Sequence, residues 1–217
     1  MQDPRSLLRM MRHVPPRQLA RRASLQAKRR VRVALERLAP GLARRPPRAA
    51  AVPHRDWPAP VLPPRTHLVT DGHALVLDQR VPLRTPLDWA PAWAPAGTLG
   101  RIRLHEHEFL EGVDDATFAE VVADWIAAVP PYGAQYWVDA WNAYALSLRT
   151  VVWMQQLAVR EVDADTRTAA QRSLAAQLAF LATNLETDLG GNHLIKDLKA
   201  LLWGARCFRG AGPDAWS

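Results

Sequence analysis

The sequence predicts a mainly α fold built from successive antiparallel helical hairpins, the pattern of an α/α toroid. From about residue 103 onward, apolar residues recur at helical spacing in four long segments. Pro130-Pro131 and Gly190-Gly191 interrupt these segments, as proline and glycine do when they stop a helix. The links between segments are short, which suits antiparallel neighbours.

The elements are read in chain order. Residues 5–38 read as one or two basic helices broken at Pro15-Pro16, with a partial apolar stripe through Leu19, Leu25, Val31, Leu35 and Leu38. Residues 39–66 are rich in proline and read as a linker or an extended wrap. Residues 67–88 read as short strands around Val69, Ala74–Leu77 and Val81, with Asp71-Gly72 as a hairpin turn and Pro82 confining its run to an edge. Residues 89–100 read as a Pro/Ala/Trp loop. Asp114-Asp115 opens a helix carrying Phe118, Val121, Val122 and Trp125. Trp141–Val159, Asp165–Leu189 and Asn192–Phe208 are the next three helices. The expected division is a basic arm (1–38), a Pro-rich wrap (39–66), a hairpin segment (67–100) and a helical body (101–217).

Composition limits the function. The net charge is +7 over 217 residues, but it is unevenly spread. Residues 1–50 carry 14 Arg or Lys against two acids, Asp3 and Glu36; the remainder is mildly acidic. Such an arm suits nucleic acid, anionic lipid or an acidic polymer. The single Cys207 excludes an intramolecular disulfide, and its apolar neighbours favour a buried thiol. No apolar run reaches the ~20 residues of a membrane span. Residues 1–30 lack the apolar stretch of a signal peptide, so a cytoplasmic location is expected. Nine tryptophans stand against three tyrosines. Each is either a packing residue or a flat platform for a ligand such as a sugar ring.

The densest chemistry lies in Gly190-Gly191-Asn192-His193-Leu194-Ile195-Lys196-Asp197-Leu198-Lys199-Ala200-Leu201. The glycines stop one helix, and Asn192 is a good N-cap for the next. Asn192 and His193 then sit at the positive end of a helix, where an anion is favoured. On the helix 141–159, Asn142, Arg149 and Trp153 fall within about 40° on a helical wheel. They form a candidate patch for an acidic sugar, Arg149 pairing with carboxylate or sulfate and Trp153 stacking; Arg149 as an ion-pair partner to a neighbouring helix is the alternative. Tyr144 and Val151 point elsewhere and read as packing. His105-Glu106-His107-Glu108 lacks any established metal-ligand spacing, and a helix would put its two imidazoles on different faces, so no metal is expected. No phosphate-binding glycine loop, Ser/His/Asp signature or CxxC pair is present, and no cofactor is expected.

The Gly191–Leu201 run resembles the G-N-H-L-x-x-[ND]-x-K-A-L segment in the N-terminal domain of heparinase II/III-type polysaccharide lyases. Tyr144–Trp153 resembles the family's Y-x-x-S-x-R-x-x-x-W helix. Leu87-Asp88-Trp89 and Arg101–His105 resemble its D-W and L-H stretches, and Leu7–Arg22 its basic opening helix. The resemblance implies an incomplete α/α toroid that binds an acidic, uronic-acid-containing polysaccharide for β-elimination. Asn192 would neutralise the substrate carboxylate, with His193 in support. The family's catalytic Tyr and second His would lie past residue 217, as would the rest of the toroid and a β-sandwich, so the chain reads as a truncated or split product, inactive alone. The family is mostly exported, which makes the periplasm the alternative location. Two further readings stay open. One is a non-catalytic helical module that docks a partner or companion chain. The other is polyanion binding through the basic arm, with nucleic acid the less expected partner.

Overall fold

The computed structural model describes residues 15–39, 50–60, 62–132, 136–189 and 191–216. The protein is mainly helical, with two small antiparallel sheets. The part of the expected basic helix over residues 5–14 and the part of the expected Pro-rich wrap over residues 40–49 lie outside the described residues.

Helix α1 (Pro16–Leu38) starts with proline in its first turn, where the missing N–H removes no helical bond. It lies across the end of helix α5 (Ala164–Thr183). Arg21 donates to the carbonyls of Thr183 and Leu185, and Lys28 to that of Thr183. Arg22 pairs with Asp188 at 3.2 Å. Arg29 and Arg32 lie over the rings of Trp137 and Tyr132. Cations are favoured at a helix C-terminus, where carbonyls lack partners. The expected polyanion-binding arm therefore commits these five cations inside the molecule.

Strands β2 (Val69–Thr70), β3 (His73–Val76) and β4 (Gln79–Pro82) form a three-stranded meander. Asp71 and Gly72 both take positive φ, as a two-residue hairpin turn requires. Pro82 ends the edge strand, where its missing N–H is harmless. The sheet packs Ala74, Val76 and Val81 into the same core as the helices.

Helix α2 (Leu99–Glu106) is followed by a 3-10 turn (Glu108–Gly112), with His107 between them at φ 60. The helix therefore breaks inside the segment read as continuous. Helix α3 (Asp115–Ala128) is capped by Asp114, which accepts from the Thr117 N–H at 2.7 Å. Helix α4 (Ala143–Val159) is capped by Asn142, so Trp141 sits in the preceding turn and not in the helix. Helix α5 is capped by Asp163 and stops at Thr183, short of the expected Leu189. The Asn184 amide turns back to the Phe180 carbonyl at 2.8 Å and ends the ladder there. Helix α6 (Gly191–Cys207) begins one residue early, so Asn192 sits in its first turn rather than capping it.

Helix α4 is the central element and packs on α2, α5 and α6. Trp125, Trp153, Phe118, Phe180, Leu104 and Leu146 fill the space between them. Each large apolar side chain stabilises by roughly 1.5–3 kcal/mol on burial. Cys207 is buried, and burial pushes its thiol up to about 12, as the apolar reading expects. Strand β1 (Val52–Pro53) pairs with β5 (Phe208–Arg209), so the Pro-rich segment is clasped to the far end of α6. Gly210, at φ 118, then leads into the short helix α7 (Ala211–Asp214). Among the described residues, no helix is long and apolar enough to cross a membrane.

Candidate functional site

The corner between α5 and α6 brings titratable groups together. Asp197, one turn into α6, accepts from the Glu186 N–H at 2.9 Å and so fixes the link. His193 Nδ1 meets Glu186 Oε2 at 2.9 Å. Since a carboxylate only accepts, the Nδ1–H donates and Nε2 is left as the base of the neutral ring. The Tyr144 ring lies against His193, centroids 4.5 Å apart and tilted by 39°. Tyr144 is held there by the α4 cap, because its N–H donates to Asn142 Oδ1. Asn192 is exposed on the same turn as His193. The site thus holds an exposed amide, an imidazole oriented by a carboxylate, and a phenol against that imidazole.

Electrostatics at the corner are unusual for so small a volume. Burial pushes the Asp197 carboxyl up to about 7; the Glu186 charge adds to the shift, while the Glu186 N–H and His193 oppose it. Asp197 Oδ1 has no hydrogen-bond partner among the described residues. Burial also raises the Tyr144 phenol, with Glu106, Glu108 and Glu186 adding and Arg103 opposing. A carboxyl whose folded pKa is raised binds more protons in the folded state between its two pKa values. Stability then falls as pH rises from about 4 to about 7. Asp197→Asn keeps an acceptor for the Glu186 N–H and removes this slope. The variant is expected to melt higher than the parent at pH 8 and about equally at pH 4, measured by thermal denaturation across that range.

Arg149 and Trp153, expected on an open patch, are instead fully buried. Arg149 Nε donates to Gln177 Oε1 and Nη1 to the His105 carbonyl, both at 2.8 Å, and Cζ lies 4.1 Å over the Trp125 ring. Its partners are an amide and a carbonyl, not the acid of an ion pair. Trp153 donates to His107 Nδ1 at 3.0 Å. Asn142 is the third member of that stripe. It caps α4 and lines a cavity of about 300 Å³ between α1 and the α5–α6 link, together with Arg22, Arg29, Trp137 and Glu186. The patch reading is therefore corrected: the shared stripe faces the core.

His105 and His107 both stack on Trp89, at 5.7 and 5.1 Å. The left-handed turn at His107 lets its ring as well as that of His105 reach Trp89, although residues two apart on an unbroken helix point to different faces. Each imidazole accepts an indole N–H, from Trp125 and Trp153 respectively. Burial holds His105 down to about 3 and His107 well below its ordinary value, with the Arg149 charge adding to both. Glu106 pairs with Arg103 at 2.8 Å, and Glu108 with Arg65. Trp89 also donates to Asp124, tying the Leu87–Trp89 stretch to α3.

Fold and site together define a mainly helical protein with a His–Glu–Tyr corner between two packed helices. No protein-family model matches the chain, and neither curated proteins nor solved structures supply a match. Sequence reasoning missed Tyr144 and Glu186. The signal for Tyr144 was its position two residues past the Asn142 cap of α4; Glu186 carried no local signal.

Proposed function

We propose that this chain is the N-terminal portion of a heparinase II/III-like lyase, with its helical hairpins forming part of an α/α toroid. Its corner binds an acidic, uronic-acid-containing polysaccharide. The carrying observation is the arrangement at the start of α6: exposed Asn192 beside His193, with His193 fixed by Glu186 and backed by Tyr144. In β-elimination the proton α to a carboxylate must leave, and neutralising that carboxylate makes it acidic enough to do so. The Asn192 amide N–H supplies that neutralisation, with His193 beside it in support. His193 Nε2 and the Tyr144 phenol are groups of the kind that accept and return a proton.

Calorimetric titration of the full chain with oligouronates of several lengths, and with neutral oligosaccharides of matching length, tests this. Oligouronates are expected to bind and neutral sugars not to. Asn192→Ala is expected to weaken binding about tenfold, or ~1.4 kcal/mol. Uronate binding that is absent, or indifferent to Asn192 and His193, refutes the proposal. A second reading, a helical docking module, draws on exposed Ile195, Leu198 and Leu202 along α6. Light scattering on the same samples decides it: self-association that Leu198→Lys removes favours docking, and a monomer at every concentration counts against it.

A further inference from the structure

A cleft of about 520 Å³ runs beside α4 and α6, walled on its third side by the extended segment that ends at Arg65. Its volume falls in the range of ligand sites. The cleft continues the candidate site. On α6, Lys196 lies four residues after Asn192 and Lys199 three further on, so all three share one helical stripe. On α4, Leu148 and Val151 follow Tyr144 at the same spacing and line the cleft floor. Glu108 joins the two regions, lining the cleft while its charge reaches Tyr144.

The acids that line this cleft already have partners. Arg65 bridges Glu108 and Glu111, and Arg160 holds Asp115 at 2.8 Å. Lys196 and Lys199 have no carboxylate partner among the described residues. Burial pulls the Lys199 ammonium down, and the neighbouring charges of Lys196 and Arg65 add to this against Glu111. An anion in the cleft would relieve that repulsion. The floor offers aliphatic Leu148, Val151 and Val159 beside the polar Ser147 and Gln155. Such a surface suits a sugar, whose ring has apolar C–H faces and a hydroxyl edge. Among the described residues no aromatic side chain lines it, so they offer none of the stacking that single-stranded nucleic acid uses.

We propose that this cleft is a carboxylate-binding subsite for the sugar chain held at Tyr144 and His193, with Lys196 and Lys199 pairing with successive uronates. The proposal rests on the polysaccharide reading above and extends it along the chain of the ligand. One lysine helical turn from the other spaces two cations about one sugar apart, so the gain from the cleft depends on ligand length.

The full chain is titrated with a uronate disaccharide and with an unsulfated oligouronate of six sugars, using wild type, Lys196→Gln/Lys199→Gln, the double arginine variant and Asn192→Ala. A single-stranded oligonucleotide is the competing polyanion. The hexamer is expected to bind more tightly than the disaccharide. The glutamine pair is expected to cost the hexamer tenfold or more and leave the disaccharide unchanged; the arginine pair is expected to keep hexamer affinity. Equal hexamer affinity in wild type and the glutamine pair, with Asn192→Ala impaired, overturns the subsite and leaves the polysaccharide reading standing. Failure of every uronate to bind wild type overturns both. Lysine-dependent binding of the oligonucleotide in preference to the hexamer also overturns the sugar assignment. Unchanged circular dichroism of the variants shows that fold is not the cause.

Discussion

Arg149→Ala is expected to destabilise the protein by on the order of 4 kcal/mol, the balance of several terms. Arg149 is fully buried and its positive charge faces an amide, a carbonyl and an indole ring. Burial without an anionic partner pulls its guanidinium down to about 9. Deleting the side chain removes that desolvation penalty, which works in favour of the variant. Against it stand two charge-assisted hydrogen bonds, each contributing about 1.5–3 kcal/mol, and a cavity between α2, α4 and α5. Gln177 Oε1 and the His105 carbonyl would also lose their donors in a dry interior. Arg149→Met fills most of the volume and leaves only the orphaned acceptors, so it is expected to cost roughly half as much. Urea unfolding followed by tryptophan emission measures both, since Trp125 and Trp153 border the site. Methionine proving worse than alanine would overturn this account, because it would show that filling the volume does not offset any of the loss.

Gly210→Ala is expected to cost about 3 kcal/mol, from positive-φ strain and a backbone clash together. Gly210 sits at φ 118, a conformation closed to L side chains. A Cβ there would run into the carbonyl oxygen of Ala50. That oxygen belongs to backbone and cannot rotate away as a side chain could. Relief requires Ala50–Pro53 to move off β5, which breaks the Val52–Arg209 pairing and the His54 N–H bond to the Cys207 carbonyl. Hydrogen exchange at His54 reads the local opening, and thermal unfolding reads the total. Protection at His54 equal to wild type would disprove this account.

Local chemistry was legible where side chain and backbone act over a few residues. Asp114 announced the start of α3 and Asp71-Gly72 the first hairpin, because caps and tight turns depend on residues adjacent in sequence. The wheel angle joining Asn142, Arg149 and Trp153 was also readable. Its direction was not, since periodicity relates side chains to one another and not to the rest of the molecule. Leu185 and Leu189 extended the apolar period past the true end of α5, where the Asn184 amide stops the helix. The corner at His107 was invisible for a different reason. A left-handed histidine is locally unfavourable, and ring contacts with Trp89, Phe109 and Trp125 together with the Trp153 indole N–H compensate for it. The candidate site was half legible: Asn192 and His193 stand out in sequence, whereas Tyr144 and Glu186 join them only through packing.

The pairing of β1 with β5 has a consequence for biosynthesis. Its partners lie roughly 150 residues apart in the chain, a separation whose closure is entropically costly and slow. During translation the stretch around Val52 leaves the ribosome long before Phe208 and Arg209 exist. Helices α2 to α6 can dock as they emerge, because their contacts join elements close in the chain, whereas α1 waits for the end of α5. The clasp cannot, so the nascent protein carries an unpaired strand edge until Phe208 and Arg209 have emerged. The Val52 edge therefore stays open for the whole interval that separates the two strands, and the seam shuts only when Arg209 has cleared the ribosome.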